Sequence, residues 1–296
     1  MSLNRGVVKL QQYILSSFVA KGIGGNKAAV VFDDKGLNEA EMKKIAKANN
    51  FSETAFIDFR NSSDSKFIIK YFTPEEEVDI CGHAALASFQ VLRQLGYVKG
   101  KTVYHKTKAG ELKIIINFDI ILIEMKKPEL VMQLPVEVIH KIIDIGKGKI
   151  VRNKNGMMDV ISTGLKDIIL EVDSLETLKN IIVKREEMIK FCQDNDLIGM
   201  HVVSRETIDN DSDFSCRNFA PAVGIDEESA TGTSNASMLY YMMRNNRSFD
   251  YSKIYKVEQG YFMNSPSNIY VKAEEDSGSI FVGGTAKIEN MEELEI

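Results

Sequence analysis

Two stretches of this 296-residue chain repeat each other, and that repeat constrains the fold more than any other feature. Glu41, Met42, Lys44 and Asn49 recur as Glu187, Met188, Lys190 and Asn195, at a constant offset of 146. Phe72-Thr73-Pro74 returns as Phe219-Ala220-Pro221, and Cys81-Gly82-His83 meets Thr231-Gly232-Thr233, each pair opening a run of small and apolar residues. Amphipathic helices often look alike, which is the ordinary explanation for any one match. Three matches in the same order, at almost the same spacing, favour two copies of one α/β unit.

Within each copy the periodicity suggests the same order of elements. Ala28–Phe32 reads as a buried strand, Asp33-Asp34-Lys35-Gly36 as a turn, and Leu37–Asn49 as a helix. Thr54–Ile57 and Phe67–Phe72 are rich in aromatic and β-branched residues, as strands are. Ala84–Leu95 has helical spacing and stops at Gly96. Its counterpart, Ser234–Arg244, is apolar almost all round, so it belongs inside the protein, with a sheet containing Ile269–Val271 and Ile280–Val282 around it. Pro128 and Pro135 bracket the expected hinge, Asn153-Lys154-Asn155-Gly156 reads as a loop or hairpin turn, and Glu292, Glu293 and Glu295 read as a solvated end.

Composition narrows the partners. With 37 basic against 42 acidic residues and a net charge of −5, no broad cationic field is present for nucleic acid. No apolar run approaches the ~20 residues needed to span a bilayer. Met1–Gly6 lacks the features of a secretory signal, and three scattered cysteines make no disulfide framework. A reduced, cytoplasmic protein is expected. His83, His105, His140 and His201 make no H-x-x-x-H pair, so no metal is expected.

The chemistry concentrates at the paired glycine turns. A helix start offers unpaired N–H groups and partial positive charge, and glycine lets a ligand approach the backbone. Two such starts, at Gly82 and Gly232, can converge on one cleft and hold a carboxylate or a developing enolate. Ordinary capping by Thr231 or Thr233 is the alternative for either turn alone. Glu53 lies just before an apolar strand, and its repeat counterpart is Gly199, so a cleft with two similar halves keeps one carboxylate able to carry a proton. His83 at a helix start is expected neutral, as a donor to substrate. Cys81 is placed where a thiol is activated, but position 231 is threonine, which excludes a thiol–thiol relay. Cys192 and Cys216 read as buried apolar residues. Glu227 and Glu228 either complement the helix dipole or contact substrate. Gly24-Gly25-Asn26 either lines the cleft or makes a tight turn.

At these residues the chain resembles the phenazine-biosynthesis isomerase family (PhzF-like proteins), itself related in fold to diaminopimelate epimerase. The resemblance is carried by Gly25-Asn26 before Ala28–Val30, by Ser52-Glu53-Thr54-Ala55-Phe56, and by Phe72-Thr73-Pro74 with Glu77–Ala84. Arg217–Pro221, Gly224-Ile225, Ala230–Thr233, Gln259-Gly260, Pro266-Ser267 and Val282-Gly283-Gly284 continue it in family order. It implies an α+β fold of two pseudo-symmetric domains, each a mixed sheet or barrel wrapped around a central helix. The implied division is 1–128, with a strand at 285–296 returning to it, and 129–284. It also implies a homodimer, no cofactor, and a small carboxylated substrate, possible rings and amino groups included.

The resemblance places the acid/base carboxylate on Glu53, a substrate-contacting histidine on His83, and polar contacts on Glu228 and Thr233. Asn26, Cys81, Gly82, Thr231, Gly232 and Ser234 complete the expected substrate-binding set. Glu228 stands where the family has aspartate, Ser229 where proline is usual, and Ser16 where an acidic residue is common; Met263–Ser267 lacks the usual Gly-Arg. The expected activity is proton transfer by a cofactor-independent isomerase. The alternatives are a metabolite-binding protein without turnover and an amino-acid epimerase or racemase, the last disfavoured by Thr231 opposite Cys81.

Overall fold

A computed structural model describes residues 9–108, 110–151, 153, 155–245 and 249–295. The segment 1–8, on which the leader reading rests, and Lys154 in the expected turn lie outside the described residues. The chain forms two compact units, one from residues up to 123 together with those from 283 on, the other from residues 124–282.

The first unit runs β1 (Lys9–Ser17), β2 (Asn26–Asp33), α1 (Glu39–Asn49), β3 (Thr54–Asp58), β4 (Lys66–Phe72), β5 (Glu77–Val78), α2 (Gly82–Gln94), β6 (Thr102–Thr107), β7 (Gly110–Asn117) and β8 (Ile120–Glu124). After it come β9 (Glu129–Pro135), α3 (Ile139–Ile142), β10 (Ile143–Asp144), β11 (Ile150–Val151), β12 (Met157–Ser162), β13 (Lys166–Val172), α4 (Leu175–Lys179), β14 (Ile182–Val183) and α5 (Arg185–Asp194). The remainder is β15 (Gly199–Ser204), β16 (Phe214–Ala220), β17 (Ile225–Glu228), α6 (Gly232–Asn245), β18 (Tyr255–Gln259), β19 (Ser267–Ala273), β20 (Ile280–Gly284) and β21 (Ala286–Glu295).

Strand for strand, the units repeat one pairing scheme. β1 lies antiparallel between β2 and β21, β2 pairs parallel with β3, β3 antiparallel with β4, and β4 parallel with β6. In the second unit β12 lies antiparallel between β13 and β9, β13 pairs parallel with β15, β15 antiparallel with β16, and β16 parallel with β18. Ladder register makes the correspondence residue-specific. Leu15 faces Ala28 and Ala29 faces Thr54; Ile161 faces Asp167 and Ile168 faces Met200. Ala28 therefore corresponds to Asp167, and Glu53 to Gly199.

Local chemistry sets the helices. Asn38 and Glu41 close a reciprocal capping box on α1, and Asn50 ends it in the left-handed region. α2 is buried through Ala84–Phe89 and at Val91 and Leu92, against β1, β2, β3 and β21. α6 buries Ser234–Leu239, Tyr241 and Met242 against β12, β13, β15 and β19. Ser88, on the buried side of α2, bonds within its own helix: its Oγ donates to the Ala84 carbonyl at 2.8 Å. Among the described residues no helix is long and apolar enough to cross a membrane.

Two points of the sequence reading need correction. Both central helices begin two residues earlier than their apolar spacing suggests, at Gly82 and Gly232, because the glycine turn is itself the first turn of helix. A strand, β1, precedes Ala28–Phe32; it buries Gln12, Ser16 and Ser17 among its apolar residues, which breaks the alternation that would reveal it. The acidic residues Glu292, Glu293 and Glu295 are solvent-exposed as expected, and they sit on β21, paired to β1, where Glu292 accepts from Gln12 and Glu293 from Lys9.

Candidate active site

In the first unit, Glu53 is the last residue before β3, and Cys81 leads into α2. The sheet and its enclosed helix thereby bring Glu53, Cys81 and His83 together. His83 Nε2 lies 3.2 Å from Glu53 Oε2, and its Nδ1 lies 3.3 Å from Cys81 Sγ. The Glu53 and His83 side chains keep only 20% and 14% of their exposure. Although close to His83, Glu53 Oε2 is buried without a properly directed hydrogen bond. Ser52 Oγ, which sequence reasoning missed, reaches His83 Nε2 at 3.2 Å.

Burial pushes the His83 imidazole below its ordinary value, against the opposing pull of the Glu53 carboxylate and a backbone hydrogen bond to Lys27. Burial, and after it the Glu53 carboxylate, pushes the Cys81 thiol well above its ordinary value. Neutral imidazole and neutral thiol thus flank one carboxylate. The three residues also offer sulfur, nitrogen and oxygen atoms all within 4.8 Å of one another, a set able to hold a metal ion.

No side-chain oxygen caps the first turn of α2; the Cys81 sulfur faces the backbone N–H groups of His83 and Ala84 there. Gly82 has an unexceptional φ, and a Cβ added there would meet nothing within 4 Å. Neither backbone conformation nor packing within the fold calls for glycine at this position. Gly25 is the opposite case: its φ is +79° and a Cβ would run into the Ser17 carbonyl, so the turn before β2 requires it. Asn26 follows as the first residue of β2, half-buried and opposite Ser17, whose Oγ donates to the His83 carbonyl at 2.7 Å.

The second unit builds its own helix start. Gln259, at the end of β18, accepts from the Thr231 N–H and donates to the Thr231 hydroxyl and to the Glu228 carbonyl oxygen. Gly232 again has an ordinary φ, with only Val282 Cγ1 at 3.7 Å from an added Cβ. The Thr233 carbonyl accepts from Thr163 Oγ1 at 2.8 Å, as the His83 carbonyl does from Ser17. Glu228 ends β17 half-buried, while its neighbour Glu227 forks onto the Arg217 guanidinium at 2.9 and 2.8 Å. Glu227 is therefore a structural anchor and not a free contact for substrate.

Ser234, expected among the substrate contacts, is buried and donates to Asp167 at 2.6 Å. Burial raises the Asp167 carboxyl to about 6, against the hydroxyl that holds it down. Asp167 escaped sequence reasoning because its partner lies 67 residues away and a single acid in an apolar strand carries no local signal.

Comparison with known proteins agrees with this architecture. An uncharacterized isomerase of Clostridium acetobutylicum is 30% identical over 244 residues, spanning 79% of this chain and 80% of the relative. The crystal structure of a Bacillus anthracis phenazine biosynthesis protein of the PhzF family, 26% identical, covers 98% of this chain and 100% of its own with a TM-score of 0.77. A hydroxyproline epimerase from Agrobacterium vitis, only 10% identical, shares the fold at a TM-score of 0.54 over 100% of this chain and 94% of its own. The model of the phenazine biosynthesis-like family matches residues 15–291, and this chain belongs to that family, PhzC-PhzF.

Proposed function

We propose that the protein is a cofactor-independent isomerase that moves a proton on a small carboxylated metabolite, with Glu53 as the acid/base group. The observation that carries this reading is the buried, unbonded Glu53 oxygen beside His83, at a helix start whose glycine the fold does not need. The isomerase name of the Clostridium relative supports it.

In the proposed reaction the Glu53 carboxylate takes a proton from an acidic carbon. The C–H electron pair moves into the conjugated system, and negative charge develops on the substrate carboxylate. Backbone N–H groups at Gly82 are suited to that charge. Protonated Glu53 then returns the proton to another carbon, and the electron pair closes the new C–H bond. Atoms and electrons balance within substrate and side chain, so no redox partner is required. Neutral His83 donates a hydrogen bond to substrate or to Glu53. We assign ligand orientation also to Glu228 and Thr233, and extend the proposal to a cytoplasmic homodimer, which light scattering and cell fractionation address.

The test is a panel of small carboxylic acids, cyclic and amino-bearing members included, incubated in deuterated water and read by mass spectrometry. Wild-type protein should introduce deuterium into a member of the panel, and Glu53→Gln should label it at the background rate. Equal labelling by Glu53→Gln would overturn the role of Glu53. Tight binding of a panel member without label would instead favour a binding protein.

A further inference from the structure

The turn into α6 carries a polar network whose residues have no like at the matching turn into α2. Gln259 and Asn235 are both fully buried, and their amides interlock around Thr231. Gln259 Oε1 accepts from Asn235 Nδ2 at 2.9 Å and from the Thr231 N–H at 3.2 Å. Gln259 Nε2 donates to the Glu228 carbonyl at 2.8 Å and to Thr231 Oγ1 at 2.9 Å. Asn235 Nδ2 also donates to the Thr231 carbonyl at 2.8 Å. Reversing the Gln259 amide would set its NH2 against two donors, so only one orientation is open to it. The next residue, Gly260, closes on Ser229: an added Cβ would stand 2.9 Å from the Ser229 carbonyl oxygen and 3.0 Å from its Cα.

Ladder register identifies the residues at the same places in the first unit. Tyr71 faces Val78 as Asn218 faces Glu228, so Val78 corresponds to Glu228. Phe67 faces His105 as Phe214 faces Val257, so Thr107 corresponds to Gln259; the paired turns set Ala85 against Asn235. α2 starts and packs with an alanine and a threonine at those two positions, so beginning such a buried helix does not require the two amides. They accompany the turn led by a carboxylate, Glu228, and not the one led by Val78. An amide supplies donors and an acceptor without setting a charge beside that carboxylate.

We propose that Gln259 is a positioning residue of the reaction: by holding the Glu228 carbonyl and the Thr231 N–H and hydroxyl on one amide, it fixes where the Glu228 carboxylate meets substrate. This rests on the role of Glu228 proposed above. Gln259 governs how tightly substrate is gripped and leaves proton transfer by Glu53 as it is.

The test uses full-length protein and the panel member that wild type labels in deuterated water. Gln259→Met removes both ends of the amide at similar length, and Gln259→Glu keeps the acceptor and loses the N–H donors. Each should raise KM about tenfold, the effect of one lost hydrogen bond, with kcat held within about twofold. In a Glu228→Gln background the same substitutions should leave KM nearly unchanged, because the group they misplace is already gone. An unchanged KM in a folded variant, or an equal rise with and without the Glu228 carboxylate, would overturn the proposal. Failure of both variants to fold, read by circular dichroism, would make Gln259 a requirement of the fold and overturn it too.

Amide hydrogen exchange, mapped by mass spectrometry, adds a readout that needs no substrate. Residues 228–233 should exchange at least about tenfold faster in Gln259→Met, while the start of α2 keeps its wild-type rate. Unchanged exchange at 228–233 would overturn the tie. Wild-type protein that labels no panel member would speak against the isomerase reading instead, and leave the tie to the exchange measurement.

Discussion

Ser17 ties the start of α2 to the end of β1 by donating its hydroxyl to the carbonyl of His83 at 2.7 Å. Thr163 repeats the device in the second unit, reaching the Thr233 carbonyl at 2.8 Å. A hydroxyl inherited at the same offset, 146 residues apart, holds the second residue of each central helix. Ser17→Ala and Thr163→Val should each cost about 1 kcal/mol, since a buried carbonyl loses a donor. Urea unfolding would register this as a lower midpoint at constant slope, and unchanged midpoints would mean that the tie does not hold the helix.

Two glycines, Gly199 and Gly82, should respond in opposite ways. Gly199→Ala puts a Cβ 2.0 Å from the Phe219 carbonyl oxygen, so it should destabilise by about 1–3 kcal/mol or prevent folding. Gly82→Ala meets nothing within 4 Å and should leave stability unchanged or raise it by up to about 1 kcal/mol. Its activity should nonetheless fall, because the methyl group stands where a ligand approaches the backbone. Thermal melts paired with deuterium uptake separate the two effects. A fully active Gly82→Ala would remove that turn from the site.

Glu53→Gln keeps the shape of the side chain and deletes its proton-carrying capacity. The exchange rate should drop on the order of 10²–10⁴-fold with little change in substrate affinity. A large loss of affinity without loss of the bound-state rate would mark Glu53 as a binding group, as rates measured at saturating substrate would reveal.

Asp167 should make stability fall as pH rises. Its folded-state carboxyl is raised to about 6 by burial, whereas in the unfolded chain it titrates near 3.8. Below about pH 4 both states hold the proton and nothing is lost. Between about pH 4 and 6 the unfolded state releases its proton first, and above that window the burial cost is fully present, on the order of 3 kcal/mol. Asp167→Asn still accepts from Ser234 and should flatten that slope. Urea midpoints for the two proteins at pH 5 and 7 provide the comparison.

All three cysteines are buried, and burial raises each thiol. Iodoacetamide at neutral pH should therefore modify none of them quickly in the folded protein and all of them after denaturation. Rapid native-state labelling at Cys81, mapped by mass spectrometry, would contradict the protonated thiol described for it.

How far the sequence could be read depended on where each signal lay. Glu53, Cys81-Gly82-His83 and Thr231-Gly232-Thr233 stand out because turn chemistry and helical spacing are local, and because the duplication sets one copy beside the other. The same duplication identified Gly199 as the counterpart of Glu53, and ladder register agrees. What escaped was chemistry that exists only after folding. Ser52 and Ser17 read as ordinary loop or strand serines until the helix start arrives beside them. Gln259 caps a turn 28 residues earlier, and Asp167 finds Ser234 across 67. Glu227 looked available for a ligand because nothing nearby in sequence announces the fork with Arg217.

β21 has a consequence for the order in which the protein is made. It flanks β1, whose other neighbour is β2, so the first sheet is bordered by residues 286–295, which are made only after residues 124–282. Residues 124–282, by contrast, are contiguous. During synthesis residues 124–282 are complete while the first unit still waits for a border strand, a closure that spans the whole of that intervening unit and is slow for that reason.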